Sequence, residues 1–322
     1  MLWKTAFSFA SPGGNRARLT ILIFHRVLPE PDPLFPDEPC VKRFDEIMAW
    51  VSQWFHFLPL EEAVRRLQAG NLPERAAAIS FDDGYADNLI HAAPILQRYD
   101  LPATVFVATG FLDGGRMWND TIIESVRNSA ASEIDATSLG LGVLAIETTE
   151  QKRLALDKLL TRIKFLSPQE RSDAVGFMKE HCAAQLPNDL MMTTEQVRAL
   201  RQVKISVGAH TVSHPILTRI SDDEARKEIV ENRERLESIL GEPVSLFAYP
   251  NGKLGRDYAA KHVEIVKKIG FQAAFTTNWG ACGRQSDPFQ LPRFSPWDSS
   301  RFNYAMRLMR NFRYPDAALT NP

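Results

Sequence analysis

Apolar residues along this chain fall into short continuous runs that alternate with segments of helical spacing. The runs at 19–24, 76–81 and 103–108 are almost entirely apolar, which is typical of strands buried on both faces of a parallel sheet. The segments at 44–55 and 61–69 repeat apolar residues every three or four positions, as amphipathic helices do. Strands and helices in alternation predict a parallel sheet whose strands are joined by crossover helices.

Residues from about 111 to 200 interrupt this alternation. They contain no convincing strand, and helices are predicted roughly at 119–129, 150–165 and 168–183. Proline follows a serine cap at 167–168, as is common where a helix begins. We interpret the segment as a helical insertion or lid within a single domain that spans 1–322.

Outside the insertion the alternation continues to the last predicted helix. Further strands are predicted near 56–58, 203–207, 244–248, 271–276 and 289–294. Further helices are predicted near 89–96, with an irregularity at Pro94, and near 221–241, 256–269 and 299–312. About eight strands with as many helices favour an irregular (β/α) barrel of the α/β class over an open sheet. Residues 1–18 are expected to form a loosely held arm.

Composition excludes several classes of protein. The chain is 44% hydrophobic and 24% charged with a net charge of −1, so a bulk nucleic-acid binder is not expected. Cys40, Cys182 and Cys282 are far apart, which argues against a disulfide framework and a thiolate metal site. No signal-peptide core and no membrane-spanning run are found, so the expected location is the cytoplasm. Association of the arginine-rich helix 299–312 with an anionic membrane surface is an alternative to a solvated face.

Two adjacent carboxylates, Asp82 and Asp83, end the apolar run at 76–81 and are followed by Gly84. In parallel α/β folds the chemistry collects at the carboxyl ends of strands. Neighbouring strand residues point in opposite directions, so the two aspartates can have different roles. An ordinary Asp-Gly turn is the alternative interpretation.

His210 and His214 follow the predicted strand at 203–207, where they present both imidazoles on one side if the segment is a helical turn. Two histidines and one carboxylate make a three-ligand site with an open position, which suits Zn²⁺ or another first-row divalent ion. Such an ion acidifies water and polarises a carbonyl, and a second carboxylate can accept the proton. The residues therefore predict a metal-assisted hydrolase of an amide or ester. Two polar surface histidines at a helix start are the alternative.

The segments Ser80-Phe81-Asp82-Asp83-Gly84 and His210-Thr211-Val212-Ser213-His214, in this order, resemble the first two motifs of the polysaccharide deacetylase family. This family has the NodB-homology fold of carbohydrate esterase family 4, a distorted (β/α)₇ barrel. The resemblance covers about 19–110 and 200–295 and leaves the helical insertion outside it. It implies that the domain is a deacetylase-like catalytic domain.

The resemblance also implies roles for four of these residues. Asp83, His210 and His214 would bind a divalent metal, with Zn²⁺ expected first and Co²⁺, Ni²⁺ or Mn²⁺ as alternatives. Asp82 would act as the general base.

The third family motif usually reads Arg-x-Pro-Tyr-Gly, and here it reads Ala248-Tyr249-Pro250-Asn251-Gly252. The loop is retained, so a backbone N–H near Asn251 is a candidate for stabilising a tetrahedral oxyanion. The arginine that usually orients the base is absent. Arg293 is our candidate for its replacement, and a surface arginine at a strand end is the alternative.

Family members usually take an acid histidine from a strand near the C-terminus, but 291–294 contains no histidine here. Instead, Ile23-Phe24-His25-Arg26-Val27 resembles the Tyr-His-x-Val strand that opens members with permuted motifs, such as those acting on poly-N-acetylglucosamine. This implies that His25 is the general acid that protonates the leaving amine. Without the resemblance, His25 would be interpreted as a histidine that caps the strand or forms a hydrogen bond with a neighbouring residue.

Together these features lead us to expect removal of N-acetyl groups from an N-acetylated glycan or glycoconjugate, such as an exopolysaccharide or cell-envelope polymer. A lipid-linked precursor in the cytoplasm is one form that this substrate could take. Trp118 and Trp279 are candidates for stacking on sugar rings. Two alternatives stay open: hydrolysis of non-sugar amides or cyclic imides on the same scaffold, and glycan binding by a degenerate site. The sequence does not predict an oligomeric state.

Overall fold

The computed structural model describes residues 2–181 and 185–313, and a parallel sheet that curls into a half-barrel lies at its centre. Seven strands form this sheet: β1 (Thr20–Phe24), β2 (His56–Phe57), β3 (Ala76–Phe81), β4 (Ala103–Val107), β7 (Ile205–Ala209), β8 (Leu246–Ala248) and β9 (Ala273–Phe275). Their order is β1-β3-β4-β7-β8-β9, with β2 paired to β3. The predicted α/β barrel-type fold is confirmed.

Helices surround the sheet. They are α1 (Leu2–Ala10), α2 (Val41–Trp54), α3 (Leu60–Ala69), α4 (Ala93–Arg98), α5 (Trp118–Asn128), α6 (Thr149–Lys164), α7 (Pro168–His181), α8 (Thr194–Leu200), α9 (Asp222–Leu240), α10 (Ala260–Ile269) and α11 (Arg301–Asn311). Every side chain of β3 is buried, because Ala77, Ile79 and Phe81 face one apolar cluster while Ala76 and Ala78 face another. Burial on both faces explains why this strand is a continuous apolar run. Along the described ranges, none of the helices combines the length and apolarity that crossing a membrane requires.

The N-terminal segment is a helix, so the expectation of a loosely held arm was wrong for most of its length. Phe7 of α1 is fully buried, and its ring lies 4.5 Å from that of Phe55 and 5.9 Å from that of Trp54. Trp3 and Phe7 are four residues apart and form the apolar stripe of an amphipathic helix. That short stripe is the signal that the sequence analysis missed.

The predicted strand at 289–294 begins in a turn at Phe289 and Gln290 and has a single bridge to the described residues, between Leu291 and Phe275, so the prediction of a regular strand was wrong. Pro292 has no N–H to donate to a ladder, which limits regular pairing. The segment still links the two edges of the sheet. The Leu291 N–H donates to the Ala274 carbonyl at 2.9 Å, and the Phe294 N–H donates to the Ile21 carbonyl at 2.9 Å.

The insertion contains α5 to α8 and, against expectation, a two-stranded antiparallel sheet formed by β5 (Glu133–Asp135) and β6 (Val143–Ala145). Each strand buries one residue, Ile134 or Leu144, which is too little for a recognisable period. The helix predicted at 168–183 is confirmed as α7 as far as His181. Its predicted end and Cys182 lie outside the described residues.

Two further predictions differ only locally. The helix predicted at 89–96 begins as a π-helical turn, Asn88–Ala92, and continues as α4, where Pro94 occupies the first turn. A 3₁₀ turn at Arg201–Val203 delays β7, which therefore ends directly before His210. α9 begins at a capping box on Ser221, as predicted.

Candidate active site

The two aspartates are held at the carboxyl end of β3 by the strands on either side. The Asp82 N–H donates to the Phe24 carbonyl at the end of β1, at 3.0 Å, and the Asp83 carbonyl accepts from the Ala108 N–H beyond β4, at 3.1 Å. Asp83 has a left-handed backbone conformation with φ of 76°. Such a conformation is costly for a residue with a side chain, and strained residues of this kind concentrate at functional sites.

The structure brings Asp83 together with both predicted histidines. One carboxylate oxygen, Asp83 Oδ1, lies 3.4 Å from Nε2 of His210 and 3.4 Å from Nε2 of His214. The two imidazole rings are 4.8 Å apart. All three side chains are mostly buried, so the cluster lies at the floor of a cavity rather than on an exposed surface.

The histidines do not lie on a helical turn, so the reason given for their convergence was wrong. Thr211 and His214 have left-handed backbone conformations, with φ of 65° and 53°. A loop therefore brings the two imidazoles together, and α9 fixes this loop. The Asn232 side chain accepts from the His210 N–H at 3.0 Å, and Glu228 accepts from the Val212 N–H at 2.8 Å.

Asn232 and Glu228 are supporting residues that the sequence analysis missed. Asn232 is fully buried and also donates from Nδ2 to the Val107 carbonyl at 3.0 Å, which ties the histidine loop to β4. It stands on the apolar face of α9 between Ile229 and Leu236. A single amide within an apolar stripe is the signal that could have found it, because a buried amide needs hydrogen-bond partners.

The donor set fits a divalent metal ion. Within the described residues Asp83 Oδ1 is buried without a hydrogen-bond partner, which is costly unless a cation binds it. His210 Nδ1 lies 2.8 Å from the Ala248 carbonyl, so its N–H donates there and Nε2 keeps a lone pair facing Asp83. Burial lowers the pKa of His214 to about 4, which keeps that imidazole neutral and able to bind a metal.

Asp82 is paired with Arg293 in a fully buried, bidentate contact. The Arg293 guanidinium donates to both carboxylate oxygens, at 2.6 and 2.7 Å, and from Nε to the Thr276 carbonyl at 3.0 Å. Burial alone would raise the pKa of Asp82, but the charge and hydrogen bonds of Arg293, together with the charges of the nearby His210 and His25, hold the pKa below its ordinary value. Asp82 is therefore ionised at neutral pH, as a proton acceptor must be.

His25 and Asn251 line the same cavity, which has a volume of about 420 Å³. His25 is exposed at the end of β1, and its carbonyl accepts from the Asn88 side chain at 2.8 Å. Asn251 has a left-handed conformation with φ of 61°, and its carbonyl accepts from the Thr277 hydroxyl at 2.6 Å. The structure thus places six of the predicted site residues around one cavity, with Arg293 directly behind Asp82.

The insertion supplies one wall of this cavity. Trp118 lies there, as do Lys164 and Arg171, which the sequence analysis did not single out. Trp279 is not among the residues that line the cavity. It is 44% exposed, and its ring packs 5.8 Å from that of Trp297.

Comparison with known proteins gives matches over most of the chain. The family model described as polysaccharide deacetylase matches residues 69–157 and 165–274. The match runs through most of the insertion, so the expectation that the resemblance would exclude it was wrong. The Bacillus subtilis protein YxkH, a polysaccharide deacetylase by name, is 22% identical over 279 residues, covering 86% of this chain and 71% of that protein.

A second relative is the poly-beta-1,6-N-acetyl-D-glucosamine N-deacetylase of Staphylococcus aureus strain MRSA252. It is 28% identical over 158 residues, which cover 46% of this chain and about half (53%) of that protein.

Two solved structures share the fold. The Streptococcus pyogenes deacetylase PplD, in complex with acetate, matches with a TM-score of 0.59 and 21% identity, covering 92% of this chain and 98% of that chain. IcaB from Ammonifex degensii matches with a TM-score of 0.57 and 18% identity, covering 94% and 98%. Because the family model matches more than half of its residues, this chain belongs to the polysaccharide deacetylase family.

Proposed function

We propose that this protein is a metal-dependent hydrolase that removes N-acetyl groups from an N-acetylated glycan or glycoconjugate. The observation that carries the proposal is the convergence of Asp83, His210 and His214 on one point, beside an ionised Asp82, in a single cavity. Membership of the family supports deacetylation, and the name of the Staphylococcus aureus relative supports an N-acetylated polysaccharide as the substrate class.

Asp83, His210 and His214 would hold the metal ion through one carboxylate oxygen and two imidazole nitrogens. This donor set suits Zn²⁺ first, with Co²⁺, Ni²⁺ and Mn²⁺ as alternatives. When bound, the ion supplies Lewis acidity that acidifies water and polarises the acetamide carbonyl.

Asp82 is our candidate for the general base. Its carboxylate would take the proton of the water that attacks the acetamide carbon. Arg293 would hold this carboxylate in a fixed orientation through two short hydrogen bonds, in place of the arginine missing from the third motif. A base held in this way stays ionised and loses no orientation when substrate binds.

Asn251 and His25 would act on two atoms of the tetrahedral species that carbonyl attack forms, its oxygen and its nitrogen. The backbone N–H of Asn251 has no hydrogen-bond partner among the described residues, so it is available to donate to the oxyanion. His25 would donate a proton to the amide nitrogen as the carbon–nitrogen bond breaks. The products would be acetate and a free amino sugar.

We expect Asp82→Asn and His25→Ala each to lose turnover by at least about a hundredfold while keeping the metal content of the wild type, because each removes a proton-transfer group and no ligand. Asp83→Asn is the matched control and should lose metal and turnover together. Acetate release and metal analysis on the same samples measure both. Normal turnover by Asp82→Asn would refute its role as the base, and loss of metal in His25→Ala would make His25 a ligand.

The substrate class is tested with a panel of acetylated sugars, lipid-linked sugars and small cyclic amides. We expect acetate from N-acetylated oligosaccharides or lipid-linked sugars. Hydrolysis of the cyclic amides alone would favour a non-sugar amidase on this scaffold.

A further inference from the structure

The cavity that holds the candidate metal site has a strongly cationic wall. Among the described residues, its acidic lining consists of Asp82, which is neutralised by Arg293, and Asp83 in the metal cluster. Among the same residues, the Lys and Arg side chains that line the cavity are Lys164, the last residue of α6, and Arg171 of α7. Both belong to the insertion, and neither has a role in the proposed deacetylation.

Arg171 is buried without a counter-ion. It is 8% exposed, its Nη2 donates to the Leu166 carbonyl at 3.3 Å, and its guanidinium lies 5.5 Å from the centre of the Trp118 ring. No carboxylate of the described residues forms an ion pair with it, and its Nε has no hydrogen-bond partner there. Burial lowers the pKa of Arg171, which shows how poorly its charge is compensated.

Lys164 stands in a similar environment. It is half-buried, forms no ion pair within the described ranges, and burial lowers its pKa. Among the described residues, the acidic group whose charge raises the pKa of Lys164 is Asp257, which is already paired with Arg256 at 3.0 Å. Arg256 and Arg171 both add positive charge near Lys164, so the region carries an excess of positive charge.

We propose that Lys164 and Arg171 bind an anionic group, phosphoryl or carboxylate, that the N-acetylated sugar substrate carries. Guanidinium and ammonium groups are the usual protein partners of both anions. The cavity volume of about 420 Å³ is that of a site for one small molecule, so the anionic group lies on the acetylated sugar or on its immediate neighbour. The identity of the substrate as an N-acetylated sugar rests on the proposed function, whereas the anion site stands on these contacts alone.

The first test compares acetate release from a neutral N-acetylglucosamine oligosaccharide, N-acetylglucosamine 1-phosphate and N-acetylmuramic acid. We expect Arg171→Gln and Lys164→Gln each to lower kcat/KM roughly tenfold or more for a charged substrate and by no more than about twofold for the neutral one. Preference for the phosphate or for the carboxylate substrate identifies the source of the anion. Equal losses on all three substrates would overturn the proposal, because they would mean that these residues act on the shared acetate product or on the fold.

Two exposed lysines on the same helices provide matched controls. Lys158 of α6 and Lys179 of α7 are exposed and do not line the cavity. Lys158→Gln and Lys179→Gln should leave the preference among the three substrates unchanged. A comparable loss in either control would mean that net charge, and not a defined site, selects the substrate.

The second test measures binding without turnover. Calorimetry on Asp82→Asn protein in chelator, with N-acetylglucosamine 1-phosphate as the ligand, should show Kd rising roughly tenfold when Arg171→Gln is added. Binding that depends on Arg171, without acetate from any substrate in the wild type, would sustain the anion site and refute the proposed function. If the protein releases acetate but its affinity for N-acetylglucosamine 1-phosphate does not depend on Lys164 or Arg171, the proposed function stands and the anion site is refuted.

Discussion

At the scale of single residues, the contact between Asp82 and Arg293 is the feature on which most depends. Asp82 directly follows β3, Arg293 lies in the segment at 289–294, and both side chains are almost completely buried. Breaking a buried pair leaves an unpaired charge, which costs about 3–5 kcal/mol. The pair therefore links the orientation of the candidate base to the stability of the whole sheet.

A double-mutant cycle on this pair is the first prediction. We expect Arg293→Ala to lower the free energy of unfolding by about 3–5 kcal/mol, because the Asp82 carboxylate would be left buried and unpaired. Urea unfolding of Arg293→Ala, of Asp82→Asn and of the double variant measures the coupling free energy between the two side chains. The exposed Arg65→Ala serves as control and should change stability by less than about 0.5 kcal/mol. Losses that simply add in the double variant would contradict the account.

Asp120 is expected to make stability depend on pH. Burial raises the pKa of Asp120 to about 7. The charge of Arg26 and the hydrogen bond from the Tyr85 hydroxyl act in the opposite direction but do not cancel this rise. The ordinary value is 3.8, so the folded protein holds a proton that the unfolded chain releases. Stability from this group is complete below about pH 4 and is lost as the pH rises through 7.

Asp120→Asn should remove this dependence. Between pH 5 and pH 8 the stability of the wild type relative to the variant should fall by roughly 2–3 kcal/mol. Urea unfolding in chelator measures it, because a cation at Asp83 would lower the pKa of Asp120. The exposed Asp157→Asn is the control, and its stability curve should run parallel to that of the wild type. A constant difference between Asp120→Asn and the wild type would refute the assignment.

The site residues that could be predicted from sequence are those in short local motifs. Asp82, Asp83, His210 and His214 are recognisable because each follows a buried strand within a few positions. Supporting residues such as Asn232 act through contacts between distant parts of the chain. The amide within the apolar stripe of α9 indicates that Asn232 is buried, but not which groups it contacts. Lys164 and Arg171 were missed for the same reason. The sequences of α6 and α7 contain many charged residues, and nothing in them distinguishes these two.

At the scale of elements, long periodic helices and buried strands were predicted well, and short or irregular elements were not. β3 and α9 were predicted because their apolar patterns extend over several residues or turns. β5 and β6 are three residues each and bury a single side chain, so they have no period to detect. The π-helical turn before α4 also depends on tertiary packing, although Pro94 marked its position.

α1 gives a prediction at this scale. Phe7→Ala should destabilise the protein by about 3 kcal/mol, because its ring fills a buried site against Trp54 and Phe55. Phe9 lies on the same helix but is 84% exposed, so Phe9→Ala is a matched control and should change stability little. Thermal unfolding measures both. Equal, small effects would mean that α1 does not pack on the domain in solution.

At the scale of the whole molecule, the parallel sheet explains why residues from distant strands form one site. Parallel strands bring their carboxyl ends to one edge, and the loops after β1, β3, β7 and β8 supply His25, the two aspartates, the two histidines and Asn251. The insertion adds the cationic wall of the cavity. The α/β barrel class was predictable from the alternation of strands and helices, whereas the link through 289–294 was not, because it depends on isolated hydrogen bonds.

We propose that one metal ion, held by Asp83, His210 and His214, makes this domain a deacetylase. The most direct test strips the protein with chelator and titrates Zn²⁺ back while acetate release from an N-acetylated oligosaccharide is measured. We predict almost no acetate from the stripped protein and a rate that rises in proportion to bound metal until one ion per chain is reached. The same rate of acetate release with and without bound metal would contradict the claim.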